Sequence, residues 1–88
     1  MSQRKDGFGQ LEVKLYSQFN TYFEGGAESV SGSNEAGPFD ILPGHANFFT
    51  LLLPGDVKIS SQGETYTYTV SRGIVQVSGN QVQVFVDI

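Results

Sequence analysis

Apolar residues alternate with polar ones along most of this chain, and no other sequence feature restricts its fold as strongly. The alternation has a period of two in segments 11–16, 57–60, 65–70 and 75–78. This period is typical of strands that bury one face. No window of eleven or more residues favours the helical period of 3.6. We therefore predict an all-β chain with almost no helix.

Residues that favour turns separate these alternating segments at intervals of about ten residues. They are Gly25-Gly26, Gly32 to Asn34, Pro43-Gly44, Pro54-Gly55, Gln62-Gly63 and Gly79-Asn80. This spacing predicts a small antiparallel β-sandwich or flattened barrel of about eight to ten short strands. We expect residues 1–9 to be a flexible leader and residues 10–88 to form one domain.

The last hairpin can be predicted to the residue. A two-residue loop at Gly79-Asn80 requires a positive φ at its first position, which glycine adopts readily. Val77 then faces Val82 and Val75 faces Val84, so one face of the hairpin is apolar. The other face is mixed and carries Ile74, Gln76, Gln83 and Phe85.

Length, charge and composition exclude several classes of protein. With 88 residues, the chain has room for one core. Its net charge of −4 is unfavourable for binding nucleic acid or anionic lipid. The apolar runs are far shorter than the roughly 20 residues that span a bilayer. The chain has no cysteine and one histidine, which excludes disulfides, thiolate metal sites and multi-histidine metal sites.

No catalytic motif is present. The sequence lacks a Gly-x-Ser-x-Gly elbow. Two acidic pairs, Glu35 with Asp40 and Asp56 with Glu64, lie beside predicted turns, where solvated acids are common. An enzyme assembled from scattered Ser, His and acidic residues remains an alternative, and we expect neither a cofactor nor a metal.

Two binding surfaces can be considered from the residues alone. Tyr66, Tyr68 and Phe39 could form an apolar platform for carbohydrate, although tyrosines on one strand face are typical core and cross-strand partners. Consecutive apolar residues at 51–53 require cover on both faces of their strand, so we expect a partner protein to cover the outer one.

The sequence Ile41-Leu42-Pro43-Gly44-His45-Ala46, followed by a strand ending in Pro54-Gly55, resembles the N-terminal β-sandwich domain of the F-type ATP synthase epsilon subunit. The likeness extends in order over residues 11–87. It includes Phe23-x-Gly25, Ser71-Arg72-Gly73-Ile74 and Gly79-Asn80.

The resemblance implies a non-catalytic domain of the central stalk, or rotor. Such a domain binds the gamma subunit and the c-ring and helps to couple proton transport to ATP synthesis. It also implies a peripheral complex on the cytoplasmic face of a bacterial plasma membrane, or the equivalent site in an organelle. By position, the gamma-facing residues are Ser17, His45, Ala46 and Thr50. The c-ring-facing loop contains Glu35, Gly37, Pro38, Phe39 and Asp40, and Pro43 and Gly44 form a structural turn. His45 can equally be a turn residue that bonds to backbone.

The chain departs from the family pattern in two respects. Pro38-Phe39-Asp40 stands where the family commonly has Glu-(Leu/Phe)-Gly, and Asn47 stands where proline is common. The sequence ends at Ile88, where the family continues into a helical hairpin that inhibits ATP hydrolysis and, in some members, binds ATP. We therefore expect neither activity from this chain.

Overall fold

The computed structural model describes residues 10–44 and 47–87, and over these residues the chain forms nine β-strands and no helix. The strands are β1 (Leu11–Tyr16), β2 (Thr21–Ala27), β3 (Ser29–Asn34), β4 (Gly37–Ile41), β5 (Phe48–Leu52), β6 (Gly55–Ser61), β7 (Glu64–Val70), β8 (Arg72–Ser78) and β9 (Gln81–Asp87). They form a five-stranded sheet in the order β2-β1-β9-β8-β5 and a four-stranded sheet in the order β4-β3-β6-β7. The predicted all-β sandwich is confirmed. The leader predicted at residues 1–9 lies outside the described residues.

One strand pair differs from the predicted antiparallel arrangement. β1 and β9 run parallel, with Val13 beside Val82 and Leu15 beside Val84. Parallel neighbours cannot be joined by a tight turn and require a long connection. Here the connection is the rest of the sandwich, because the two strands come from opposite ends of the domain.

The core lies between the two sheets and follows the period of two. In β1, Leu11, Val13 and Leu15 are buried, and β8 and β9 contribute alternating valines from the same sheet. The four-stranded sheet supplies the opposite wall, including Ile59, which is fully buried. Each such side chain contributes about 1.5–3 kcal/mol by leaving water.

Two predicted hairpin turns are confirmed to the residue. Ser78 pairs with Gln81 around Gly79-Asn80, and Gly79 has the expected positive φ of 61°. The Gln62-Gly63 turn likewise joins β6 to β7, with φ values of 54° and 81°. Positive angles at both of these positions suit a type I′ turn, which matches the twist of the paired strands.

Two glycine-rich segments are strands, contrary to the predicted turns. Gly25-Gly26 lies within β2, and Gly32 to Asn34 ends β3. At Gly32 the glycine permits close packing between the sheets. A Cβ there would lie 3.0 Å from Cδ2 of Leu52 and 3.1 Å from Cζ of Phe39. The space of the missing side chain is therefore filled by residues of neighbouring strands.

Two isoleucines test this account of the core. Ile59→Ala should lower the free energy of unfolding by about 2–5 kcal/mol, because it leaves a cavity between the sheets. The matched variant Ile74→Ala, at a side chain that is 41% exposed, should cost about 1 kcal/mol or less. Urea denaturation of both variants measures the difference. Equal losses would contradict the assignment of inward and outward faces.

Candidate protein-binding face

The outer face of the four-stranded sheet is polar. Its outward positions carry Ser29, Ser31, Ser33, Pro38, Asp40, Asp56, Lys58, Ser60, Thr65, Thr67 and Thr69. Hydroxyl groups donate to carboxylates across neighbouring strands, from Ser31 to Asp40 at 2.6 Å and from Thr69 to Asp56 at 2.8 Å. This face is compatible with water and needs no covering partner.

The outer face of the five-stranded sheet carries a row of large apolar side chains. Register places Leu51 beside Ile74, Ile74 beside Phe85, and Phe85 beside Tyr16, so one row crosses four adjacent strands. Leu51 is 61% exposed, and Ile74 and Phe85 are each 41% exposed. The rings of Tyr16 and Phe85 meet edge to face at 5.3 Å. We call these four residues the apolar band, and it spans about 14 Å across the sheet.

A groove of about 470 Å³ lies against the band. Leu51, Ile74 and Phe85 line it, and Arg72 and Asp87 form an exposed ion pair at 3.1 Å beside it. An exposed pair of this kind contributes little to stability. The groove thus combines an apolar floor with a charged rim, which is the anatomy of a protein-binding surface.

Ser17 and Thr50, two of the residues predicted to face gamma, lie at opposite ends of the band. Ser17 follows Tyr16 directly, where its amide donates to the Asn20 carbonyl at 2.8 Å. Thr50 precedes Leu51 in β5, three strands away, and faces inward. The two residues therefore do not meet, and the Thr50 side chain lies on the opposite face of the sheet from the band. The other two predicted residues, His45 and Ala46, lie outside the described residues.

Sequence reasoning missed several residues of this surface. Phe19, in the turn between β1 and β2, is 85% exposed and adjoins Gln18, which lines the groove. Ile74 and Phe85 are assigned by the sequence only to a mixed outer face. The predicted register of the last hairpin already places Ile74 beside Phe85. Their alignment with Leu51 and Tyr16 depends on pairings that the sequence does not reveal.

The segment predicted as a c-ring-facing loop is the tip of a hairpin followed by a strand. Asn34 pairs with Gly37, so the turn consists of Glu35 and Ala36, and the remainder belongs to β4. The Asn34 side chain accepts a hydrogen bond from the Ala36 amide at 2.9 Å, which closes the turn. Pro38 is compatible with β4 because this strand ends its sheet, where a missing N–H leaves no partner unpaired.

Phe39 and Asp40 of this segment make contacts within the domain. Phe39 is half-buried and packs against Phe48 with ring centroids 5.7 Å apart. Asp40 is exposed and accepts the Ser31 hydroxyl. Glu35 and Pro38 are also exposed. The side chains of the segment that are accessible to a partner are therefore mainly those of Glu35, Pro38 and Asp40.

Asn34 also joins the hairpin to β5. Its Nδ2 donates to Oγ1 of Thr50 at 3.0 Å, and the Leu53 amide donates to the Ser33 carbonyl at 3.0 Å. These bonds cross from one sheet to the other. The two regions that the resemblance assigns to different partners are thus connected directly.

The predicted turn at Pro43-Gly44 is confirmed, and it is tied to the β8–β9 hairpin. The Gly44 amide donates to Oδ1 of Asn80 at 2.9 Å, and Gly44 has a φ of 83°. At this angle a residue with a side chain is strained. The turn that precedes His45 therefore has a defined anchor in the five-stranded sheet.

The tyrosines considered as a carbohydrate platform make packing contacts. Tyr66 packs on Phe23 with ring centroids 5.4 Å apart, and Tyr68 packs on Tyr22 at 6.4 Å. The Tyr68 hydroxyl donates to the Tyr22 carbonyl at 3.2 Å. Burial, together with the neighbouring Tyr66 phenol, raises the pKa of Tyr68 above its usual 10.0. Together these rings close the sandwich between β2 and β7.

Asp56 and Glu64 do not form a glycosidase-like site. Asp56 pairs with Thr69 and Glu64 with Ser61, which places the two acids at opposite ends of β6. At about 3.4 Å per residue their separation is about 17 Å, beyond the range for paired catalytic carboxylates.

Over residues 10–44 and 47–87, no three His, Cys, Asp or Glu side chains cluster as metal ligands would. The same residues contain no helix long and apolar enough to cross a membrane.

Comparison with known proteins agrees with this architecture. A family model described as "ATP synthase, Delta/Epsilon chain, beta-sandwich domain" matches residues 10–88. The chain belongs to this family. The ATP synthase epsilon chain of Legionella pneumophila (strain Corby) is 39% identical over 77 residues, which are 86% of this chain and 55% of that relative. The epsilon chain of a Nitratiruptor species is 32% identical over 78 residues, covering 88% of this chain and 60% of the relative.

Two solved assemblies contain chains with the same fold. One is the Euglena gracilis mitochondrial ATP synthase OSCP/F1/c-ring, with a TM-score of 0.82 and 20% identity over 89% of this chain and 51% of the other. The other is the Tetrahymena thermophila central stalk and c-ring, with a TM-score of 0.75 and 19% identity over 89% and 63% of the two chains. At these identities the likeness establishes the fold. The chain spans little more than half the length of its curated relatives.

Asn34 provides a test of the connection between the sheets. Asn34→Ala removes its bonds to Ala36 and Thr50, so we expect a loss of about 1–2 kcal/mol in the free energy of unfolding. Amide exchange at Ala36 should also accelerate. The control Ser33→Ala keeps the backbone carbonyl that binds Leu53 and should change neither quantity. An unchanged exchange rate at Ala36 would contradict the proposed closure of the turn.

The raised pKa of Tyr68 predicts that the stability of the domain declines at alkaline pH. Its folded-state pKa is raised, so its contribution is fully present below the unfolded pKa of about 10 and is lost as pH rises through the folded value. Tyr68→Phe should remove this decline and cost about 1 kcal/mol or less at neutral pH. Tyr22→Phe keeps the accepting carbonyl and should retain the decline. Denaturation curves collected between about pH 8 and 11, a range that includes the unfolded-state pKa of tyrosine, measure this decline in stability. A Tyr68→Phe profile identical to that of the unmodified chain would refute the assignment.

Proposed function

We propose that this chain is the sandwich domain of a central-stalk subunit in an F-type ATP synthase. In this role it binds the gamma subunit and the c-ring and helps couple proton transport to ATP synthesis. Family membership over residues 10–88 supports the role. The proposed orientation rests on a difference between the two sheets. Among the described residues, the five-stranded sheet has an apolar band on its outer face, and the four-stranded sheet has none.

The apolar band is the proposed gamma-binding surface. A few side chains near the centre of an interface, often aromatic ones, supply most of its binding energy, while polar residues form the rim. Phe85 and Ile74 occupy central strands of the sheet, and Arg72 and Asp87 lie at the edge of the groove. Ser17 lies at the β1 end of the band, while Thr50 lies in β5 with its side chain on the inner face, bonded to Asn34. The gamma-facing roles of Ser17, Thr50, His45 and Ala46 stay part of this proposal.

The β3–β4 hairpin is the proposed c-ring contact. Its tip presents Glu35, and the Asn34 bonds hold it against β5. A partner that displaces the tip would therefore also act on Thr50. In this proposal the hairpin transmits force between the ring and gamma through hydrogen bonds across the two sheets.

The proposed role requires no chemistry from this domain. We expect no bound cofactor in this domain, and we place it peripherally on the cytoplasmic face of a bacterial plasma membrane, or the equivalent organellar face. Enzymatic and carbohydrate-binding alternatives receive no specific support from the arrangement of their candidate residues.

Calorimetric titration of the chain into its cognate gamma subunit tests the main contact. Phe85→Ser and Ile74→Ser should each weaken binding by about thirtyfold, as expected for central anchors worth about 2 kcal/mol. Lys58→Ser, on the polar outer face, should bind like the unmodified chain. Melting temperatures establish that each variant is folded. Equal weakening by Lys58→Ser, or no binding by the folded chain, would refute the orientation.

The c-ring contact has a separate test. In this test the chain is first bound to gamma, and vesicles that contain the c-ring then capture the complex. Glu35→Lys should leave the affinity for gamma unchanged but weaken this capture. Ser33→Lys, on the polar outer face beside the hairpin tip, serves as the control for added positive charge. Capture that is unchanged by Glu35→Lys would contradict the role of the tip.

A further inference from the structure

The outer face of the five-stranded sheet is ordered in rows that cross its strands. Alternate residues of β8 and β9 are buried, so the residues between them point outward. The register joins these outward residues in three pairs, one of opposite charges, one of apolar groups and one of amides. They are Arg72 with Asp87, Ile74 with Phe85, and Gln76 with Gln83. β8 and β9 thus carry side chains of matched chemistry at equal heights along the sheet.

The neighbouring strands continue two of these rows. β5 lies beside β8 and β1 lies beside β9, so the order β1-β9-β8-β5 has β8 and β9 at its centre. Leu51 of β5 and Tyr16 of β1 are the two ends of the apolar band. Phe49 of β5 and Lys14 of β1 are the two ends of the amide row. Each of these rows therefore has the same number of residues on either side of a line drawn between β8 and β9.

We propose that a second copy of the chain packs the same outer face against this one, about a two-fold axis that runs between β8 and β9 and parallel to them. Such an axis places β8 opposite β9 of the second copy, and β1 opposite β5. Each row then meets the reverse of itself. Ile74 faces Phe85 of the second copy, and the Gln76 and Gln83 amides come within reach of each other. The strands of the two sheets run in similar directions, which is the aligned arrangement common between packed sheets.

Charge complementarity favours a second copy as the occupant. Arg72 of each copy faces Asp87 of the other, so the axis creates two contacts between opposite charges. The Lys14 ammonium lies opposite Phe49 of the second copy, and an aromatic ring attracts a cation to its face. The outward charges on these four strands balance, because Arg72 and Lys14 are offset by Asp87 and Glu12. The overlapping face is therefore neutral, although the whole chain has a net charge of −4.

The shape of the face is compatible with this contact. The groove beside the apolar band is lined from both β8 and β9, so it lies at the axis and gives room for side chains of the second copy. The β3–β4 hairpin lies along the edge of β5, and Phe49 and Leu51 on the outer face stay exposed. The overlapping patch measures about 14 Å across the four strands and about 14 Å along them. This is smaller than the roughly 800 Å² per partner of a standard interface, which indicates a weak dimer populated at high concentration.

The dimer covers the apolar band, which is also the proposed gamma-binding surface. If gamma binds there, self-association and gamma binding compete, and the dimer is a state of the unassembled chain. The dimer depends only on the chemistry of this face, and it does not require that gamma binds there.

A charge exchange tests the proposed axis. Sedimentation equilibrium at micromolar to millimolar concentrations should show a reversible monomer–dimer equilibrium for the unmodified chain. Arg72→Asp alone and Asp87→Arg alone should each raise the dissociation constant by about tenfold or more, because like charges then face each other across the axis. An equimolar mixture of the two variants should form a mixed dimer within about threefold of the original affinity, since every acid at these positions then faces a base.

Matched controls separate this contact from a general effect of charge. Lys58→Asp and Asp56→Arg make the same changes of charge on the polar outer face, and both variants should dimerise like the unmodified chain. Thermal melting shows whether each variant is folded. In the unmodified chain, the amide and side-chain shifts of Ile74 and Phe85 should change as concentration rises, whereas those of Thr67 should not.

Three results would overturn the proposal. One is a chain that stays monomeric at millimolar concentration. Another is a dimer that neither Arg72→Asp nor Asp87→Arg weakens, and the third is a mixture of these two variants that remains monomeric. None of the samples contains gamma, so failure of the dimer is distinct from failure of the proposed function.

Discussion

The packing of two sheets through alternating apolar residues is the interaction on which the structure depends. Leu15 and Ile59 are buried residues of opposite sheets, and each of the nine strands contributes at least one apolar side chain to the same core. The short chain has no disulfide and buries one core, so this contact must supply most of its stability. The inward positions are occupied by core residues, so core packing does not explain why the two outer faces differ in composition.

Those outer faces differ in a way that packing does not require. One is covered by hydroxyl and charged side chains, while the other aligns Leu51, Ile74, Phe85 and Tyr16 across four strands. Exposed apolar surface lowers solubility unless a partner covers it. The proposed role in the central stalk would account for this asymmetry, because a partner bound to the apolar face would cover one defined side of the domain.

Local chemistry explains which parts of this structure could be predicted from sequence. The Gly79-Asn80 turn fixes its own register through a positive φ, so the predicted pairing of Val77 with Val82 is correct. The turn predicted at Gly32 is wrong because glycine serves either a turn or a close contact, and the contact with Leu52 is distant in sequence. The predicted hairpin register gives the pairing of Ile74 with Phe85, but the rest of the apolar band depends on the parallel pairing of β1 with β9 and on the pairing of β5 with β8, which the sequence does not reveal. The roles of Ser17, His45, Ala46 and Thr50 stay predictions.

The most direct test of the central claim is a map of amide chemical shifts in the labelled chain as unlabelled gamma subunit is added. The account predicts that the largest changes lie at Tyr16, Leu51, Ile74 and Phe85, with smaller ones at Ser17 and Thr50. Amides on the polar face, such as Lys58 and Thr67, should change little. The largest changes on that polar face, with the apolar band unaffected, would contradict the proposed orientation.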